Sequence, residues 1–385
     1  MKIDIHGPYY RTVHHVRCPA DNLEAICLTQ YPIRNLPCVC HPSPLLKPFA
    51  ALLLLLGTAQ FAHADDSYDA EGDRRAKSAG SSLIGQPAPA AKLTTLDGKQ
   101  IDLAQLYGKK PVYLKFWATW CVPCRQQMPG FEAIQQKFGD QIEVIAVNTG
   151  FSDDADSIRA YRKELGLTMP IAIDDGTLAT ALNLRVTPQH VLIGRDGRIM
   201  HVGHLDNQEL HTALQQAVAE GKQPVAKAAD ATAAATFAVG DKVSDLGIPL
   251  LDGSKLDFAA AKKPRAIVFF APWCESYLAE SRPQTAKACQ YVREEADKLM
   301  ATEQGKTIDW VGVSSGLWVS AADLLDYQKT TKSSLPLALN DDDSLFRAFG
   351  VRDIPSVVLL DSQGRVTHII GPKETNLADA VNSLK

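Results

Sequence analysis

Phe116-Trp117-Ala118-Thr119-Trp120-Cys121-Val122-Pro123-Cys124 is the stretch that decides the fold of this chain. Two cysteines stand at C-x-x-C spacing after an apolar run, residues 111–117, that reads as a buried strand. A helix-like segment, residues 125–138, follows them. A strand that delivers C-x-x-C to a helix start suits dithiol–disulfide exchange. The first thiol sits at the positive end of the helix dipole, which favours the nucleophilic thiolate. The second, one turn on, can attack the mixed disulfide and release the product. A zinc knuckle uses the same spacing but needs a second ligand pair. After Cys124 the only cysteines are Cys274 and Cys289, isolated and far apart. A plain structural disulfide fits poorly with so short a loop between strand and helix. Neither a metal nor a cofactor is expected.

Working outward, Pro129 lies eight residues after Cys121, and Val186-Thr187-Pro188 follows much later. Together with the FWAT and WCVPC runs these residues resemble the thioredoxin fold. More narrowly they resemble the TlpA/ResA branch of exported thiol–disulfide oxidoreductases, over roughly residues 85–221. The resemblance implies a cis proline at Pro188 facing the dithiol, with Thr187 and Pro188 lining a substrate groove and Trp120 and Pro123 shaping the site. It also implies a strand–helix insert, which residues 141–170 supply as a strand-like 142–148 and a helical 154–165. Two positions depart from the family, and both bear on proton transfer. Lys115 stands where many thioredoxins carry an aspartate, and Gln127 where ResA-like proteins carry a glutamate. A Lys115 aimed at Cys124 favours the Cys124 thiolate and has its own pKa lowered by burial. Alternatively it snorkels to the surface and leaves the thiols alone.

The pattern then recurs. Residues 85–98 return as 240–253, and the strand with its cysteine returns as 266–274. Leu184-Arg185-Val186-Thr187-Pro188 returns as Val351-Arg352-Asp353-Ile354-Pro355, and residues 194–198 return as 361–365. Four landmarks in one order mean two copies of one fold. In the second copy Glu275, Ser276 and Tyr277 follow Cys274, so the resolving cysteine is absent, and Val268 replaces Lys115. Pro283 follows Cys274 by nine residues rather than eight. Cys289 lies fifteen residues along what reads as one helix, residues 278–300. At 1.5 Å per residue that separation is roughly 22 Å, beyond disulfide reach unless Pro283 breaks the helix. Cys274 is read first as a remnant without turnover, with a structural disulfide and a functional monothiol as alternatives. Cys289 is read as a buried core cysteine. The second copy is expected to bind or scaffold, with a peptide groove near Ile354-Pro355.

Lys47, an apolar run at 49–56, Ala62-His63-Ala64 and then Asp65-Asp66 compose a secretory signal peptide, residues 45–64, cleaved after Ala64. The run is too short for a membrane span. Residues 1–44, with Cys18, Cys27, Cys38 and Cys40, read as an upstream mis-start or a disordered lead. The polar segment 65–82 has little to bury and reads as flexible. A catalytic domain at 83–221, an Ala-rich linker at 222–238 and a degenerate domain at 239–385 complete the layout. A length of 385 residues favours two domains, and a net charge of −4 leaves no nucleic-acid footprint. His190, two residues after Pro188, is read as a satisfied or solvated histidine in preference to a groove-lining one. His201 and His204 receive no role.

The fold class expected is α/β: two tandem thioredoxin-like folds, each a central mixed β-sheet of about five strands with helices on both faces. Asp-Gly turns at 97–98 and 196–197 mark hairpins at the edges. The function expected is an exported, periplasmic reductase of protein disulfides, with Cys121 attacking and Cys124 resolving. The resemblance implies apocytochrome c or metal-site assembly proteins as clients and a membrane thiol carrier as electron donor, without nucleic acid or stable membrane insertion. One alternative is a client-binding chaperone with little turnover. Another is a peroxiredoxin-like peroxidase, although the P-x-x-x-T/S-x-x-C motif is absent around Cys121 and Cys274.

Overall fold

All six residues of strand β1 (Val112–Trp117) are buried, as a central strand covered by helices on both faces requires. The computed structural model of the chain describes residues 12–17, 24–29, 62–221, 224–231, 236–244, 246–258, 262–374 and 376–384. Beside β1 lie β2 (Glu143–Asn148), β3 (Ile171–Ile173), β4 (Gln189–Ile193) and β5 (Ile199–Gly203), in the order β5-β4-β1-β2-β3. β1, β2 and β3 run parallel, while β4 is antiparallel to β1 and to β5. The helices are α1 (Ala62–Gly80), α2 (Val122–Phe138), α3 (Ala155–Leu165), α4 (Thr177–Ala181) and α5 (Gln208–Ala219). The insert forms as expected. Asp154 and Ser157 close a capping box at the start of α3, and Gly166 ends it at φ 64°, a left-handed cap that glycine tolerates at no steric cost. The edge hairpins also form, Lys92–Thr94 with Gln100–Asp102 and β4 with β5.

The second copy repeats this topology strand for strand. β6 (Arg265–Phe270), β7 (Asp309–Ser315), β8 (Leu337–Asn340), β9 (Ser356–Leu360) and β10 (Val366–Ile370) lie in the order β10-β9-β6-β7-β8, with the same directions. Its helices are α6 (Cys274–Ser281), α7 (Pro283–Met300), α8 (Ala321–Thr331), α9 (Ser344–Ala348) and α10 (Leu377–Ser383). The fold class is thus α/β, two thioredoxin-like folds in tandem. Their apolar interiors join into one cluster that runs from Phe116 and Trp120 to Phe269 and Phe346.

Four expectations are corrected. The helix read over 278–300 is broken: α6 ends at Ser281, Arg282 leaves the helical region at φ −141° and ψ 65°, and Pro283 opens α7. A residue before proline is driven out of the helical region, and proline is favoured at the first helical turn. This break brings Cys274 and Cys289 together as a disulfide with Cα atoms 6.3 Å apart. The remnant and monothiol readings of Cys274 therefore give way to the disulfide.

The polar segment 65–82, read as flexible, is mostly helix: α1 covers residues 65–80. Ala76 is buried, Lys77 Nζ bonds Glu209 Oε2 at 2.6 Å, Arg75 Nη2 bonds Asp323 Oδ2 at 3.0 Å, and Asn183 donates to Ala79 O at 2.9 Å. Ion pairs and small buried side chains hold this helix where an apolar stripe would hold another.

Part of the lead forms a hairpin. Thr12–Arg17 pairs antiparallel with Glu24–Thr29, two runs rich in β-formers. This hairpin belongs to a unit, residues 1–66, separate from the compact unit 67–385. Within the linker, Ala229–Asp230 pairs in parallel with Pro89–Ala90. The apolar core of the signal peptide at 49–56 and the cysteines Cys18, Cys38 and Cys40 lie outside the described residues. Among the described residues no helix is long and apolar enough to cross a membrane.

Candidate active site

β1 hands the chain to α2 through Cys121, which occupies the N-cap position with an extended backbone, and Pro123 stands in the first turn. Cys124 N donates to Cys121 Sγ at 3.2 Å, and the two cysteines form a disulfide with Cα atoms 5.2 Å apart. Once the pair is reduced, that N–H and the helix dipole both favour negative charge on Cys121 over Cys124. Cys121 Sγ also lies 3.4 Å from Thr187 O, where the Thr187–Pro188 peptide is cis. The structure therefore gathers Trp120, Cys121, Pro123, Cys124, Thr187 and Pro188 into one place. Cys124 is fully buried and Cys121 is 2 % exposed.

The two departures from the family pattern take different forms. Lys115 does not snorkel. It is fully buried, its Nζ lies 5.3 Å from the centre of the Phe131 ring, and that Nζ has no hydrogen-bond partner among the described residues. Burial lowers its pKa from the ordinary 10.5 to about 7, with Asp206 opposing the shift. Gln127 joins a buried network instead. Its Nε2 donates to His204 O at 3.1 Å, its Oε1 lies 2.9 Å from His190 Nε2, and His190 Nδ1 lies 2.6 Å from the Tyr113 hydroxyl. His190 is thus a satisfied core histidine. Burial, then the nearby Lys115, push its pKa well down. His204, to which the sequence assigned no role, places Nδ1 2.7 Å from Pro188 O and so braces the loop that faces the dithiol. Burial lowers its pKa too.

The second domain covers this face. The Trp120 and Trp273 rings stack with centroids 5.1 Å apart, and Val122 N donates to the Tyr277 hydroxyl at 2.9 Å. Arg282, exposed by the helix break, bonds Asp153 Oδ1 at 2.7 Å and also reaches Thr119 Oγ1 and Ser152 O. Asp153 in turn accepts from Thr119 N at 2.7 Å and Asn148 Nδ2 at 2.8 Å.

The contacts come in pairs related by the repeat. Ser152 N donates to Arg352 O and Trp318 N donates to Arg185 O, each at 2.8 Å. The Arg352 side chain binds Thr149 O and Asp174 O, and the Arg185 side chain binds Asp341 O. Trp120 Nε1 donates to Phe151 O, and Trp273 Nε1 to Leu317 O. The two catalytic-type faces therefore meet about a pseudo-twofold axis, as in an isologous dimer. The open peptide groove expected near Ile354-Pro355 is corrected accordingly. Ile354 is buried with its N–H on Ser152 Oγ at 3.4 Å, and Pro355 lies beside Cys289.

What stays open above Cys121 is a chamber of about 420 Å³, lined by Tyr68, Trp120, Thr187, Trp273, Ser276, Tyr277 and Trp318. Tyr68 from α1 stacks on Trp318 at 4.6 Å. Arg282, Tyr277 and Trp318 carry no signal in the sequence, because their partners lie more than a hundred residues away in the other domain. Only the repeated Leu-Arg/Val-Arg stretch hinted that Arg185 and Arg352 play matching parts.

A thioredoxin-like fold with a dithiol at a helix start and a cis proline opposite it defines a class: thiol–disulfide oxidoreductases of the thioredoxin superfamily. The chain belongs to this family, in its TlpA/ResA branch. It is 38% identical over 133 residues to Thioredoxin-like protein YneN of Bacillus subtilis, a match spanning 34% of this chain and 78% of that protein. It is 34% identical over 137 residues to the thiol-disulfide oxidoreductase ResA of Bacillus cereus, again over 34% and 78% of the two chains. The model of the AhpC/TSA family matches residues 84–202. Among solved structures, a thiol:disulfide interchange protein of the thioredoxin family from Chlorobium tepidum is 26% identical, with 34% of this chain and 95% of that one covered at a TM-score of 0.30.

Proposed function

We propose that this oxidoreductase works as an exported reductant of protein disulfides, with Cys121 as the attacking thiol and Cys124 as the resolving thiol. The observation that carries the reading is the N-cap placement of Cys121, with Cys124 N donating to its sulfur. Cys121 thiolate attacks one sulfur of the client disulfide, and the other leaves as a thiol. Cys124 then attacks Cys121, regenerates the bond present in this structure and frees the client's second thiol. The pair must next be reduced by an outside thiol donor, in this reading a membrane thiol carrier. Apocytochrome c or metal-site assembly proteins are the clients proposed from the family resemblance. Periplasmic location rests on the signal-peptide pattern at residues 45–64. The second domain serves as a scaffold: its Cys274 is locked in a disulfide, so it offers no second dithiol in this state.

Equilibration in glutathione buffers, followed by alkylation and mass counting of free thiols, tests the direction of flow. A Cys121–Cys124 potential near the roughly −270 mV of thioredoxin is expected, and a value near the roughly −120 mV of DsbA would make the protein an oxidant.

A further inference from the structure

We infer that the second domain forms part of the substrate site, and that the client cystine must arrive on an extended, locally unfolded stretch of chain with uncharged neighbours. The inference rests on the reading of Cys121 as the attacking thiol and narrows the clients that this thiol can reach. Docking of two folded proteins buries about 800 Å² on each side. The surface around Cys121 that would make such a contact is already used. Trp120 is stacked on Trp273, the Val122 amide is bonded to Tyr277, and Thr119 and Asp153 are held by Arg282.

The remaining approach to the Cys121 sulfur is the aromatic chamber, whose volume of about 420 Å³ falls in the range, about 300–1,000 Å³, that encloses a molecule of drug size. A short run of residues fits such a space and a folded surface does not. The lining contains four aromatic residues that belong to neither the C-x-x-C run nor the cis-proline loop: Tyr68, Trp273, Tyr277 and Trp318. Among the described residues that line it there is no carboxylate, lysine, arginine or histidine. Charged side chains next to the cystine would lose water there without gaining an ionic partner, whereas apolar and aromatic ones would stack. The Ser276 hydroxyl in the lining suits the backbone of an extended segment. In the reaction, two electrons pass from the Cys121/Cys124 thiols to the client cystine. The client S–S bond breaks, the Cys121–Cys124 bond forms, and the two protons of the dithiol end on the client thiols.

The test uses the full chain, reduced with dithiothreitol and freed of it, and follows single-turnover oxidation of Cys121/Cys124 by alkylation and mass. One substrate is an uncharged linear peptide pair joined by a single cystine. The other is native insulin, a folded protein cross-linked by disulfides. The peptide is expected to oxidise the pair at least about tenfold faster per disulfide, a ratio typical of discrimination by pocket fit. Trp318→Ala, which opens the chamber wall, should narrow that ratio by speeding insulin. Tyr277→Phe, which keeps the ring and removes only the bond to Val122, guards against loss of folding and should shift the ratio in the same direction. Equal rates for peptide and insulin in the wild type would overturn the inference, as would a ratio that neither variant moves. If neither substrate oxidises Cys121/Cys124, it is the disulfide-reductase reading that fails.

Discussion

Lys115 is a cation placed in the middle of a central strand, and the physics of that placement can be measured. Its Nζ is fully buried above the Phe131 ring, and burial lowers its pKa from 10.5 to about 7. The folded protein therefore binds fewer protons than the unfolded chain between those values, so this group's contribution to stability rises as pH goes from about 7 towards 10.5 and is lost as pH falls through 7. At about 1.4 kcal/mol for each pH unit, Lys115→Met should stabilise the protein more at pH 6 than at pH 9.5 by on the order of 3 kcal/mol. Urea unfolding of both proteins at both pH values checks this, and an equal gain at the two values would mean that Nζ is solvated or paired. The sequence made Lys115 visible, because it is the one charge in an apolar run ahead of C-x-x-C. It did not make His204 visible. The bond from His204 to Pro188 O exists only because the β4–β5 hairpin folds back across the cis-proline loop, and no spacing rule encodes a contact sixteen residues apart between a loop and a strand end.

At the scale of elements, the strands and edge hairpins of the two thioredoxin-like folds were legible. The hairpin of the lead and helix α1 were not, and the break after α6 stood only as an alternative. β1, β2 and β6 announce themselves as continuous apolar runs, and the Asp-Gly turns fix the hairpins. α1 escapes because its buried face is made of alanines such as Ala76 and its anchors are ion pairs, which hydropathy does not register. The break between α6 and α7 stood only as an alternative to one helix over 278–300, although Pro283 is itself the signal that the helix stops. That break matters for stability. It allows Cys274 and Cys289, fifteen residues apart in sequence, to close a loop within the second domain. A loop of that length is expected to stabilise by about 3 kcal/mol, mainly by restricting the unfolded chain. Replacing both with alanine should therefore lower the unfolding free energy by about that amount in urea titrations run without reductant, where Cys121–Cys124 stays intact in both proteins. A midpoint that does not move would show that the packing of α6 against α7 holds the turn without the staple.

For the whole molecule, the repeat read from four landmarks has a consequence that neither copy shows alone: equivalent surfaces meet each other. Arg185 and Arg352 hold matching positions in the two copies, and each reaches into the opposite domain. Arg282 has no counterpart, and it carries an interdomain ion pair, to Asp153, on the dithiol face. Asp153 is completely buried on the other side of that pair, while Arg282 remains about a quarter exposed. Removing one partner of a fully buried pair costs about 3–5 kcal/mol. The exposure of Arg282 and the other donors to Asp153, Thr119 N and Asn148 Nδ2, reduce that figure here. Even about 1.4 kcal/mol taken from the closed arrangement raises the open population about tenfold. Arg282→Ala should therefore speed alkylation of the reduced Cys121, 2 % exposed in the closed form, by about tenfold. Asp153→Asn in the same background tests whether the gain comes from the pair, since it neutralises the carboxylate that Arg282→Ala leaves without its guanidinium. If the double variant returns towards the wild-type rate, the ion pair sets the closure. If Arg282→Ala alone leaves the rate unchanged, the stacked tryptophans and the matched arginines hold the two domains together without it.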